Sequence, residues 1–184
     1  MSEPTESTGP TLLIPDTLTF EEAIVFTRSL LAQMEQNNLS EVETEAALAS
    51  LVSRENGARG FFVTYLTDDR PFADQPSDAI VRALQSSPEI VAELLVKNLA
   101  MSAAMAITHR RNQNEDMAQG SDRVQRRTAH LIQRVQLPEV SQKAQMLYNS
   151  AKTGAGEYQG FLDRWGYDVE QRQAIQEVIH LKLA

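Results

Sequence analysis

The chain has 184 residues, a formal net charge of −8 and no cysteine. That length fits one domain and suffices to bury a core without cross-links. The missing cysteine removes disulfides, thiolate metal sites and cysteine nucleophiles, and the acidic balance argues against a general nucleic-acid binder.

The charge is unevenly spread. Residues 1–56 carry ten acids against two arginines, whereas residues 109–134 carry six arginines against three acids, with His109 and His130. An asymmetry of this kind within one chain is either an internal electrostatic match or a surface for a partner. The amino end lacks a basic stretch followed by an apolar run, so a secretory signal is not expected and a cytoplasmic location is.

Residues 1–15 read as a disordered or extended tail. The first ten are polar with two prolines and a glycine, and Leu12–Ile14 form a short apolar patch expected to lie on the rest. Residues 16–184 read as one helical domain. Thr19 and Glu22 have the spacing of a capping box, which opens a helix over 20–36. Ser40 and Glu43 repeat the signal for a helix over 41–54, with Val42, Ala46 and Ala49 facing inward and Leu48, Leu51 and Val52 as further inward candidates, and Asn56-Gly57 reads as its stop. The short polar link between the two helices favours an antiparallel hairpin. Residues 61–67 (FFVTYLT) have the composition of a strand. Phe61, Phe62, Tyr65 and Leu66 nevertheless share one helical face and no convincing partner strand exists, so a short helix is expected. A turn-rich loop follows over 68–76, then a short helix over 77–86 capped by Ser77 or Asp78.

Residues 88–112 form the element around which the others are expected to pack. Ser87 is placed to cap it and Pro88 to occupy its first turn. On the helical wheel Ile90, Leu94, Met101 and Met105 share a face, Val91, Leu95 and Leu99 the next, and Val96, Ala103 and Ile107 lie beyond. Only Glu93, Lys97, Ala100, Ala104 and Arg111 fill the remaining sector. A helix apolar on most sides is either buried or in a membrane. Glu93, Lys97 and Asn98 interrupt the run, which favours the core of a soluble bundle over a span. The fold class expected is therefore all-α: a single-domain bundle of about seven helices around a central buried one.

Beyond Asn112, residues NQNEDMAQG read as a polar loop, with Ser121 or Asp122 capping the next helix. Pro138 opens another, to about 152. A shorter one spans about 157–164, Trp165-Gly166-Tyr167 makes a corner, and Asp168 caps the last helix.

The best candidate for a binding site is the helix after the polar loop. Arg123, Arg127, His130 and Arg134 fall at i, i+4, i+7 and i+11, within about 60° on the wheel. Val124, Thr128, Leu131, Ile132 and Val135 are read as the opposite, inward side. A row of guanidinium groups suits bidentate recognition of carboxylate or phosphate, and His130 would add charge on protonation. The plainer reading is a solvated row paired with the acidic first helices. Arg110 and Arg111, with His109, favour the carboxyl end of the central helix through its dipole, and would extend the row if they lay beside it.

Other constellations are weaker. Asp68, Asp69, Asp74 and Asp78 could hold a hard cation, yet their spacing matches no calcium-loop motif, and loop aspartates are commonly turn or cap residues. Lys152–Gly160 lacks the spacer and closing Gly-Lys-Ser/Thr of a phosphate loop. No nucleophile elbow occurs. Tyr158, Phe161, Trp165 and Tyr167 suit a small satellite core. The expectation is thus an interaction or regulatory module, not an enzyme, without catalytic residues, metal or cofactor. It would bind another protein or an acidic surface through Arg110, Arg111, Arg123, Arg127, His130 and Arg134. A homodimer is compatible with this reading, and neither nucleic acid nor membrane is favoured as a partner. An anion- or nucleic-acid-backbone-binding protein, or a metal-assisted enzyme using the acidic loop, are the alternatives.

Overall fold

The computed structural model describes residue 14 and residues 17–183. Among them the fold is all-α. Nine helices occur, where about seven were expected: α1 (Phe20–Glu35), α2 (Glu41–Val52), α3 (Glu55–Thr67), α4 (Asp78–Gln85), α5 (Pro88–Arg111), α6 (Glu115–Val135), α7 (Pro138–Thr153), α8 (Gln159–Arg164) and α9 (Val169–Leu183). A 3-10 turn over Pro71–Ala73 interrupts the loop between α3 and α4. The tail expected over 1–15 lies outside the described residues apart from Ile14, which is half-buried against the core.

Both capping boxes form. Thr19 and Ser40 accept from the amides of Glu22 and Glu43, whose carboxylates return to the cap amides. These hydrogen bonds hold both glutamates below the usual carboxylate range. The expected α1–α2 hairpin is not the main packing, since α1 lies chiefly on α3 and α2 on α4. Gly60 is the reason for the first pairing. A Cβ there would come within 2.4 Å of Ala23 Cβ, so only glycine lets the two helices approach this closely. Gly57 does not stop α2. It sits in the first turn of α3, where a Cβ would meet the Leu51 carbonyl oxygen. The inward face of α2 differs from expectation in part: Leu48, Leu51 and Val52 are buried as expected, joined by Thr44 and Ala47, whereas Val42 is 76% exposed and Ala46 is exposed.

Residues 61–67 are helical. Phe61, Phe62, Tyr65 and Leu66 are buried on one face of α3, with the Phe61 and Tyr65 rings stacked at 4.8 Å between centroids. With no strand to pair with, the backbone hydrogen bonds are satisfied within the helix, and tertiary burial outweighs local propensity.

α5 is the hub, contacting α6, α9, α7, α3 and α4. Val91, Leu95, Val96 and Leu99 are fully buried, and so are Ala92, Ala100 and Ala104. Ala100 and Ala104, placed in the polar sector by the wheel, are therefore inside: small side chains bring neighbouring helices close. Conversely Ile90, Leu94, Met101 and Met105 are only half-buried. By length and composition α5 could also cross a bilayer, and 56% of its most apolar window is buried within the protein. Its polar stripe is occupied as the spacing predicted. Glu93 meets Lys97 at 2.8 Å, Lys143 at 3.3 Å, and the Tyr158 hydroxyl at 2.7 Å. Burial pushes the Glu93 carboxyl up, but these three donors outweigh it and its pKa falls below the ordinary value.

The link from α5 to α6 is only three residues, Asn112–Asn114, where a longer polar loop was expected. Asn114, rather than Ser121 or Asp122, caps α6 by accepting from the Met117 amide, and Glu115 and Asp116 favour its amino end. At the far end Gln171 ties α9 to α5. Its side-chain amide donates to the Ala104 carbonyl and the Thr108 hydroxyl, and its own amide is capped by Asp168. Tyr158, Phe161 and Tyr167 stack edge to face as a satellite core, whereas Trp165 is 52% exposed. The corner after Trp165 turns on Gly166 at φ 62°. Burial raises the Tyr167 hydroxyl to about 12.

Candidate interaction surface

The arginine row does not face open solvent as a unit. It grips the loop between α3 and α4. Arg127 is 3% exposed. Its guanidinium forks onto the Asp74 carboxylate at 2.9 and 2.7 Å and donates to the carbonyls of Leu66, Asp68 and Arg70 at 3.0, 2.7 and 3.4 Å. Arg123 reaches Asp69 and the Thr67 carbonyl, and Arg134 reaches Asp78 and the Pro76 carbonyl. Three of the four row members thus bind one loop, and only His130 is left exposed without such a role.

The match is internal, as the charge asymmetry allowed, but its acidic side is the loop 68–78 and not α1 and α2. The four loop aspartates serve as counter-ions. Asp69, Asp74 and Asp78 take Arg123, Arg127 and Arg134, and Asp68 takes Arg70 at 2.7 Å. The Arg70 hydrogen bond holds Asp68 below the usual carboxylate range, and the Arg127 hydrogen bond does the same for Asp74. Among the described residues no group of three or more histidine and acidic side chains is arranged to hold a metal ion.

Arg110 and Arg111 do not join the row. Arg110 pairs with Asp122 at 2.6 Å and with Glu115, which clamps the start of α6 to the end of α5. Arg111 turns the other way, to Asp168 and Glu170 at the start of α9. His109, one residue before them, is half-buried.

The wheel of α6 accounts for this. Its apolar residues are centred near Leu131 and Val135, and at about 100° per residue Arg127 falls on the flank of that face rather than opposite it. The cation nearest the opposite side is Arg126, which the row spacing passed over. Arg126 is exposed and has no ion-pair or hydrogen-bond partner among the described residues. Centring the wheel on the apolar side chains, instead of on the arginines, would have found it.

Beside these cations lies an apolar groove of about 330 Å³ between the end of α3, the middle of α5 and the first half of α6. Met101, Met105, Met117 and Val124 line it, with Asn98 and Thr67 at one side and Arg123 at its rim. Met117 is 53% exposed. The half-buried face of α5 is therefore open where α6 begins. Methionine side chains are flexible and polarisable, and they suit surfaces that meet an apolar partner. An adjoining shallow depression carries Asp116, Gln119, Asp122, Arg123 and Arg126. The Nε atom of Arg123 is buried and has no hydrogen-bond partner among the described residues.

No curated protein and no solved structure matches the chain. A family model does, over residues 19–181, which takes in every helix from α1 to the last turns of α9. The chain belongs to the family described as Uncharacterised conserved protein UCP020893.

Proposed function

We propose that the protein is a non-enzymatic helical interaction module whose docking surface is the edge formed by α5 and α6. The observation that carries this reading is the methionine-lined groove at Met101, Met105 and Met117, rimmed by Arg123 and with Arg126 outward beside it. An apolar centre with arginine at its edge has the composition of a protein contact. The basic side of α6 contributes through Arg123, Arg126 and His130. Arg110, Arg111, Arg127 and Arg134 act on the partner's side only indirectly, by fixing α6 and the acidic loop in place. Expected partners are proteins that offer apolar side chains flanked by carboxylates, in a cytoplasmic setting.

Affinity purification from the native cell tests this. The wild-type chain should recover a partner that is lost on Met105→Glu and on Arg126→Glu and retained on Arg164→Glu, an exposed cation on α8. Identical recovery by all four chains would refute the assignment of the surface.

A further inference from the structure

We infer that the partner this edge is built to meet is a second copy of the chain, docked through α6 against α6 in antiparallel fashion across a two-fold axis near Gly120 and Ser121. The inference rests on the reading of the α5–α6 edge as an interaction surface, and adds what occupies it.

A two-fold contact is self-complementary: each copy must supply both halves of every pair. The outer side of α6 is arranged in this way. Asp116 lies before Gly120 and Arg123 and Arg126 lie after it, all lining one depression. Reversing a second α6 about a point between Gly120 and Ser121 brings Asp116 of one copy within a turn of Arg123 of the other, both lying within about 60° of Gly120 on the wheel. It brings Met117 of one copy opposite Val124 of the other. Two charge pairs and two apolar contacts result, related by the axis. In a parallel arrangement like charges would face each other.

The crossing point is also shaped for close approach. A Cβ placed on Gly120 meets nothing within 4 Å, so the space over this residue is open. Small residues at a helix crossing let the two backbones come together. The groove beside it supplies the apolar area, since Met101 and Met105 of one copy would be covered by Met117 of the other. An unrelated partner helix would need the same acidic-then-apolar order by coincidence, whereas a second copy has it by construction.

The experiment is sedimentation equilibrium on the full chain with a reciprocal charge swap. The wild type should associate to a dimer. Asp116→Arg and Arg123→Asp should each weaken association by about tenfold or more, because each removes two attractive pairs and introduces two repulsive ones. The double variant should recover most of it. Asp116 is exposed and Arg123 half-exposed, and circular dichroism should show unchanged helicity. The cysteine-free chain permits an independent readout. Gly120→Cys should oxidise to a covalent dimer, and Gln133→Cys, farther along α6, should not. A wild type that stays monomeric at millimolar concentration, a double variant no better than the singles, or equal oxidation at both cysteines would overturn the inference. Failure here leaves the Proposed function standing if Met105→Glu still costs the chain a different cellular partner.

Discussion

Arg127→Met is the sharpest perturbation the structure offers. The substitution keeps much of the side chain's apolar length and deletes the guanidinium. Three carbonyls then lose a donor, those of Leu66, Asp68 and Arg70, and the Leu66 bond is buried. Asp74 loses its counter-ion, but its side chain is 49% exposed and regains water readily. Each buried acceptor left unpaired costs about 1–3 kcal/mol, and breaking a buried ion pair by removing one partner costs about 3–5 kcal/mol in total. Solvation of Asp74 and of the outer carbonyls sets the expectation at the low end, about 3 kcal/mol. Arg126→Met, one residue earlier and exposed, should stay within about 0.5 kcal/mol. Urea unfolding of the two variants reads the difference directly, with unchanged m-values as the check on two-state behaviour. Arg127→Lys should recover only part of the loss, because an ammonium cannot fork onto Asp74 while reaching three carbonyls. Equal costs for positions 126 and 127 would refute the assignment of Arg127 as the clamp of the acidic loop.

Gly60→Ala should destabilise by about 1–3 kcal/mol, because the added methyl would sit 2.4 Å from Ala23 Cβ and must push α1 from α3; a loss below that range in thermal unfolding would show that the contact yields. Gln136 holds φ 50° at the carboxyl end of α6, so Gln136→Gly should stabilise by roughly 0.5–1 kcal/mol, the left-handed penalty less the extra entropy of glycine; a lower urea midpoint would contradict this. The carboxyls of Asp68 and Asp74 lie below their ordinary value in the fold. The sign follows: their contribution is complete above the unfolded pKa of about 3.9 and fades as pH falls through the lower folded values. Thermal stability should therefore decline on acidification below about pH 5, with hydrogen exchange rising first over 66–78. Protection of that loop that persists while α9 opens would place the acid-sensitive contacts elsewhere.

Much of the architecture is legible from local signals. The capping boxes at Thr19 and Ser40, Pro88 and Pro138 at helix starts, and the corner at Gly166 all lie where the spacing puts them, because each is decided within one turn of chain. What fails depends on contacts between distant segments. Gly57 looks like a stop and is a close-packed helical residue, since the requirement comes from Leu51. Val42 looks like core, but α4 and α3 approach α2 from the side of Thr44 and Leu48. The polar stretch 112–120 looks like loop, but Asn114 caps a helix whose first turn carries Glu115 and Asp116. The candidate site divides in the same way. The helix and its charge were readable, but the fate of each arginine was not, because Asp74 and the carbonyls it shares with Arg127 lie more than fifty residues away. The groove was hidden by the apolar run of α5. Ile90, Leu94, Met101 and Met105 read as core; all four are half-buried, and Met101 and Met105 are left open beside the start of α6.

Methionine-methyl NMR on the full chain tests the central claim most directly. Of the six methionines, Met101, Met105 and Met117 lie in the groove and Met34 and Met146 elsewhere. As concentration rises from micromolar to millimolar, the three groove methyls should shift together while Met34 and Met146 stay fixed. Shifts at Met34 or Met146 with the groove methyls unmoved, or no shift in any of them, would contradict the account.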